Sequence, residues 1–142
     1  MNQQVKNHIK FMKPDEEAVF MKAETLIYDT VRPIIPIGSE KTVFFASVTE
    51  TSYEMFFYAF LNGKPQQCYA LAEQNVLDEK ELDSAFKEVV TIIRESKLFR
   101  KEKNNIVTFI VDRSGVRMDI RYYEKDVHMY RIKKEWKEEN VV

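Results

Sequence analysis

The sequence predicts an α+β domain in which an antiparallel sheet of four to five strands carries two long helices. Two segments place apolar residues at three- and four-residue spacing, which is typical of amphipathic helices. Four segments rich in aromatic and β-branched residues are typical of strands, and short turns join them in pairs. Their order is α-β-β-(β)-α-β-β-(α), which favours an antiparallel sheet with the helices packed on it. The 142 residues contain no linker-like tract, so we expect a single domain, 1–142, with a frayed segment at 1–13 and a tail at 137–142.

The first helix is predicted to begin at Pro14. Proline suits the first helical position, and the acidic residues at 15–17 suit the positive end of the helix dipole. Apolar residues then recur at helical spacing as far as Val31. The helix is expected to end near Arg32-Pro33, because proline disrupts a helix interior.

Two aromatic-rich segments follow, at 41–50 and 53–61, and they predict an antiparallel hairpin that turns at Thr51-Ser52. A strand with one solvated face alternates apolar and polar residues. Here the apolar residues come in runs, at 43–46 and 55–61, which places large side chains on both faces of the sheet. Either two layers cover this sheet, or one face is kept for a partner.

The middle of the chain contains a turn, a short strand and the second long helix. Residues 62–65, Asn-Gly-Lys-Pro, predict a turn, and residues 66–70 a third short strand. Asp78 stands three residues before Glu81, a capping-box pattern that predicts a helix over 79–99. We expect the two long helices to cover one face of the sheet, so that most strand phenylalanines belong to the core.

The last third predicts a second hairpin, with strands at 106–112 and 116–123 and a turn at 113–115. Apolar and charged residues alternate cleanly along 116–123, which predicts one buried face and one solvated face. Residues 127–136 are predicted to be helical.

The sequence contains no pattern typical of a catalytic or metal centre. Cys68 is the only cysteine, which excludes an internal disulfide and predicts a buried structural thiol. His8 and His128 are not spaced as a metal-binding pair, and the three glycines lie too far apart to form a phosphate-binding loop. We therefore expect no enzymatic activity, no cofactor and no metal. A small hydrolase stays open as a less favoured alternative, which requires carboxylates to converge on His128.

Composition indicates a cytoplasmic protein outside the membrane. No window approaches the roughly 20 apolar residues of a membrane span, and the first residues do not resemble a signal peptide. The net charge is −1, but residues 40–95 carry ten acids against five bases, and residues 97–142 twelve bases against eight acids. Surface regions of opposite sign can steer a charged partner.

Basic and aromatic residues between Tyr130 and Lys137 raise the alternative of nucleic-acid binding. Glutamates interrupt this segment, and the pI of about 6.2 is below that of most nucleic-acid-binding domains. We therefore expect no direct binding to nucleic acid.

The order and spacing of these elements resemble the YezG-like immunity (antitoxin) family of Gram-positive polymorphic toxin systems. The resemblance covers about residues 19–138. The matching features are Ile35-Pro36 after the first helix, Glu40 to Val43 opening the first strand, Glu54 to Tyr58 in the second, the helix at 78–99, Gly115 with the tyrosine-rich strand up to Glu124, and Arg131 with Trp136-Lys137 near the end.

The resemblance implies an intracellular inhibitor that binds the C-terminal toxin domain, commonly a nuclease, of a secreted polymorphic toxin. Such a binder needs a charged surface and aromatic anchor residues, and it needs no active site of its own. A homodimeric interaction module is the main alternative function. The candidate partner-binding residues combine an acidic rim with aromatic side chains that have a polar group: Glu50, Tyr53, Glu54, Tyr58, Asp78, Glu79, Glu81, Asp83, Tyr122 and Trp136.

Overall fold

The structure, a computed structural model, describes residues 14–142, so the predicted frayed segment 1–13 lies outside the described residues. It confirms the α+β class, with one antiparallel sheet and helices on it. The elements are α1 (Pro14–Val31), β1 (Lys41–Val48), β2 (Tyr53–Leu61), β3 (Lys64–Gln67), α2 (Cys68–Glu73), α3 (Glu79–Glu95), β4 (Lys103–Asp112), β5 (Gly115–Glu124) and α4 (Met129–Asn140).

The sheet has five strands in the order β3-β2-β1-β4-β5, and each neighbouring pair is antiparallel. A two-residue turn at Asn62 and Gly63 joins β2 to β3, with φ values of 54° and 77°. Positive φ at both positions is the type I′ geometry that Asn-Gly sequences favour, because its twist matches that of the strands. The predicted turn at 62–65 is therefore confirmed at its first two residues.

One face of the sheet is covered by α1 and α3. Their apolar stripes bury Phe20, Ile27 and Phe86 against strand residues that include Phe44 and Phe57. The rings of Phe44 and Phe57 lie 4.8 Å apart, centroid to centroid, on adjacent strands. The prediction that the long helices cover one face over phenylalanines is confirmed.

The other face is covered by α4, which the sequence predicted only as far as residue 136. Ile132 and Trp136 of α4 pack with Val43, Phe45 and other side chains of that face. Within the segment predicted as a tail, 137–142, α4 continues to Asn140 and Val141 is buried. The apolar runs in β1 and β2 therefore reflect a sheet with a helical layer on each side.

The predicted third strand is wrong at its second half. Strand β3 ends at Gln67, and Cys68 begins the short helix α2. The Gln67 side-chain oxygen accepts a hydrogen bond from the Tyr69 N–H at 2.8 Å and caps this helix. Cys68 is buried as predicted, and burial raises the pKa of its thiol to about 11.

Smaller differences concern element ends. Helix α3 stops at Glu95 rather than residue 99, because Ser96 adopts an extended conformation with φ −72° and ψ 143°. Strand β4 begins at Lys103, three residues before the predicted start at 106. The buried side chain of Asn105 explains the early start of β4. It accepts a hydrogen bond from the Arg100 N–H (2.9 Å) and donates one to the Arg100 carbonyl oxygen (2.9 Å).

Candidate protein-binding surface

The structure does not bring the ten predicted contact residues into one rim. Tyr53, Glu54 and Asp83 lie around one concavity beside β2. Asp78 and Glu81 line another, of about 200 Å³, with the fully exposed Ile37. The others are distributed elsewhere: Glu50 in the loop between β1 and β2, Glu79 in the first turn of α3, Tyr58 on the face covered by α4, and Tyr122 and Trp136 in the core.

Two predicted contact residues are corrected by their burial. Tyr122 is 4% exposed, its hydroxyl donates to the Leu98 carbonyl oxygen at 2.8 Å, and the Arg100 guanidinium lies 4.0 Å from its ring centroid. Trp136 is also 4% exposed, and its Nε1–H donates to Thr108 Oγ1 at 2.8 Å. Both polar groups are satisfied inside the protein, so neither side chain is available to a partner.

The pleat of β2 places Tyr58 on the opposite face of the sheet from Tyr53. Residues at alternate positions of a strand point to opposite faces, and Tyr58 points to the face of α4. The Lys137 ammonium lies 5.4 Å from its ring centroid. Tyr53 is an odd-numbered position like Met55 and Phe57, whose side chains belong to the layer under α1 and α3. Tyr53 and Tyr58 therefore do not lie on one face of the sheet with all six acids.

The concavity beside β2, which we call the edge groove, encloses about 440 Å³. Four consecutive β2 residues line it. Because neighbouring strand residues point to opposite faces, only a cavity along the strand's edge can meet all four. The lining is Tyr53, Glu54, Met55, Phe56, Gln67, Tyr69, Asp83 and Phe86.

The edge is open there because β3 is shorter than β2. Strand β3 pairs only with the last four residues of β2, from Tyr58 to Leu61. The chain then enters α2 and leaves the edge. At the point of departure the Phe57 N–H donates to Cys68 Sγ at 3.5 Å.

Two tyrosines form the aromatic walls of the edge groove. Tyr53 is 41% exposed and Tyr69 is 37% exposed. The Tyr69 ring meets the buried Phe86 ring edge-on, with centroids 6.4 Å apart. Tyrosines held by packing on one side and open on the other are favourable anchors for a protein partner, since little conformational entropy is lost on binding.

Tyr69 is not among the predicted contact residues, and the sequence predicts a strand for its segment, 66–70. The three-residue spacing of Cys68 and Leu71, both buried, is a helical signal that points Tyr69 outward instead. Met55, Phe56, Gln67 and Phe86 also line the groove without being predicted. They join the groove only through tertiary packing.

The edge groove has a negative electrostatic character. Its lining includes two acidic residues, Glu54 and Asp83, and no basic residue. The pKa of the Tyr69 hydroxyl is raised to about 12, first by burial and further by the nearby carboxylates of Asp83 and Glu79. The carboxylates among these causes also favour a cation from a partner.

Two basic residues outside the lining contact the groove or the loop that leads into it. Lys133 of α4 bonds to Glu54 at 2.8 Å, which neutralises part of the charge of that carboxylate. Arg94 of α3 donates to the carbonyl oxygens of Thr49 (3.0 Å) and Ser52 (3.1 Å). These bonds hold the loop before Tyr53, so the position of its ring is set by α3. Asp83, by contrast, is exposed at the groove and free to meet a cation.

Within 14–142, no three His, Cys, Asp or Glu side chains come together in a way that could hold a metal ion. His128 caps α4, with its Nδ1 accepting the Tyr130 N–H at 3.3 Å. No helix in this part of the chain has the length and apolar character needed to cross a membrane.

No family model matches this chain, and no curated protein matches it significantly. The resemblance to the YezG-like immunity family therefore stays a prediction.

Proposed function

We propose that this protein is an immunity protein that binds the C-terminal toxin domain of a secreted polymorphic toxin and blocks it inside the producing cell. The observation that carries the proposal is the edge groove, where two exposed tyrosines stand beside carboxylates without a basic residue in the lining. Aromatic anchors with complementary charge are what a tight, fast inhibitor of a basic protein requires. The order of sequence elements that resembles the immunity family supports the same function.

The proposal involves blocking by contact rather than catalysis. A toxin domain that acts on nucleic acid carries basic residues where the phosphates bind. An acidic, aromatic groove can cover such residues and exclude the substrate. Electrostatic attraction would speed the encounter, while Tyr53 and Tyr69 would slow dissociation.

Co-expression with the C-terminal domain encoded by the adjacent upstream gene tests the proposal. We expect the immunity protein to restore growth and to co-purify with that domain. No rescue together with no co-purification refutes the proposed function.

Variants at the edge groove locate the interface. We expect Tyr53→Ala and Tyr69→Ala each to weaken binding about tenfold or more, as for central aromatic anchors. The matched control is Tyr130→Ala, because Tyr130 is 68% exposed on α4 and lies outside the groove. Equal losses in all three variants, measured by calorimetry, contradict this location.

Charge reversal separates steering from anchoring. We expect Asp83→Lys to lower the association rate, with an effect that shrinks as salt increases. Asp29→Lys is the control, since Asp29 is an exposed acid on α1. An association rate that does not depend on salt in the parent protein contradicts the electrostatic part of the proposal.

The alternative of a homodimeric module has one observation in its favour. The ten residues of β5 pair only with β4, so their outer edge has no strand beside it in the described part of the chain. Unpaired strand edges can pair with a second copy. Light scattering that shows a dimer, together with failure to bind the toxin domain, selects this function.

A further inference from the structure

The free part of β2 offers unpaired backbone groups to a partner. Strand β2 has nine residues and β3 has four, so the first five residues of β2 have no strand on their outer side. The Thr49 N–H donates to the Ser52 carbonyl oxygen at 2.9 Å, in the same register that pairs β1 with β2. Even-numbered positions of β2 therefore bond to β1, and odd-numbered positions point their backbone groups outward.

Tyr53 and Met55 are the outward-pointing positions without a strand neighbour. Each directs one N–H and one carbonyl oxygen away from the sheet, and within the described residues no hydrogen bond satisfies these groups from the outer side. Phe57 is different, because its N–H is engaged by Cys68 Sγ. The backbone groups available to a partner strand are therefore those of Tyr53 and Met55, and they end before the Phe57 N–H.

We propose that an extended, basic segment of the toxin domain pairs with the outer edge of β2 at residues 53–57 and becomes an additional strand of the sheet. This inference rests on the proposed function and specifies how the partner is held. Backbone hydrogen bonds to Tyr53 and Met55 supply the ladder, as in other cases of strand addition. The side chains of the added strand alternate between the two faces, and one set enters the edge groove.

The lining of the edge groove determines which side chains of the added strand fit it. A lysine or arginine suits it best, because the aliphatic stem can lie on the Tyr69 ring while the charge reaches Asp83. Such a residue must stand at alternate positions of the segment, since only one face of an added strand meets α2 and α3.

The outer edge of β5 is longer but fits a basic segment less well. Its outward rim carries Arg117, which is exposed, and Arg121, which is partly buried. Charged residues on an edge strand are a common protection against pairing. Arg117 is paired with Asp112, and Arg121 with Asp119 and Glu139, so these pairs leave no unpaired carboxylate for a cationic strand.

Amide hydrogen exchange in the full chain tests the inference, with the toxin domain from the adjacent upstream gene as the probe. We expect exchange of the Tyr53 and Met55 amides to slow by about a hundredfold or more in the complex. The Ala59 amide, which faces β3, should be slow with and without the partner. A complex that forms while Tyr53 and Met55 keep their free exchange rates overturns strand addition and leaves the proposed function standing. Absence of any complex overturns both.

Two further outcomes place the contact elsewhere. Slowing confined to the Val116 and Met118 amides assigns the partner to β5 and overturns the inference. A free protein that light scattering shows to be a dimer, with Tyr53 and Met55 already protected, assigns the edge to a second copy and overturns it as well.

A proline substitution isolates the backbone contribution. Tyr53→Pro removes an outward N–H at the first residue of a strand, a position that proline tolerates, and Tyr53→Thr removes the ring but keeps the N–H. With both variants folded by circular dichroism, we expect the proline variant to bind about fivefold to tenfold more weakly than the threonine variant. Equal dissociation constants for the two variants overturn the inference.

Discussion

Trp136 connects α4 to the sheet in two ways, and substitution with phenylalanine separates them. Its ring meets Phe45 edge-on at 5.2 Å and Phe56 at 5.8 Å, measured between centroids. Its indole N–H donates to Thr108 Oγ1, a buried acceptor on β4. Trp136→Phe keeps an aromatic ring in the layer and removes the hydrogen bond, whereas Trp136→Ala removes both.

The magnitudes follow from burial. Trp136→Ala empties most of a side chain that is 4% exposed, so we expect the free energy of unfolding to fall by about 3–5 kcal/mol. Trp136→Phe leaves the Thr108 hydroxyl without its donor, at a cost of about 1–3 kcal/mol beyond the smaller loss of ring area. Thr108→Val leaves the indole N–H unpaired at a similar cost. Because the double variant leaves neither group unpaired, the two costs should not add, and we expect a coupling of about 1–2 kcal/mol.

Urea denaturation followed by circular dichroism measures these differences. Trp136 is the only tryptophan, so its fluorescence cannot be used across the series. In the parent protein, however, its emission should shift to the red on unfolding as the ring leaves the core. Additive costs for Trp136→Phe and Thr108→Val would refute the hydrogen bond between these two side chains. A loss below about 1 kcal/mol for Trp136→Ala would refute the conclusion that α4 forms a packed second layer.

Two further predictions concern the core. Asn105→Leu should lower the free energy of unfolding by about 2–4 kcal/mol. The reason is that the Asn105 side chain bonds to the N–H and the carbonyl oxygen of Arg100 and to the Val48 carbonyl oxygen. A melting temperature equal to that of the parent contradicts this prediction. The folded pKa of Cys68, about 11, exceeds its ordinary value of 9.0, so the unfolded chain loses this proton first as pH rises and stability should fall between these two values. Cys68→Ala should reduce that slope in urea titrations at pH 8 to 11, and an unchanged slope excludes the thiol as its cause.

Much of the fold was predictable because its signals are local. Helical spacing, the Asn-Gly turn and the alternation along 116–123 each depend on residues close together in the chain. The acidic residue at the start of α3 is another such signal, since the Asp78 side chain accepts from the Lys80 N–H at 3.3 Å. These elements keep their predicted type in the structure, and the errors fall mainly at their ends.

The candidate site was predictable only in part. Tyr53 and Asp83 were proposed as contact residues and do share a groove. Trp136 was proposed for the same reason, an apolar ring with a polar handle, and it is buried because α4 turns that ring onto the sheet. An amphipathic side chain has the same signature at an interface and in a core with a hydrogen-bond partner, so residue type alone cannot separate the two cases.

Local spacing, turn chemistry and capping were therefore sufficient to predict the class of the domain and the order of its strands along the chain. The second layer and the open edge of β2 required three-dimensional packing. Whether a face is covered depends on where a helix from the far end of the chain lies, and whether an edge is free depends on the residue at which its neighbour turns away. Cys68 is that residue here, and its departure into α2 leaves Tyr53 and Met55 without a strand on their outer side.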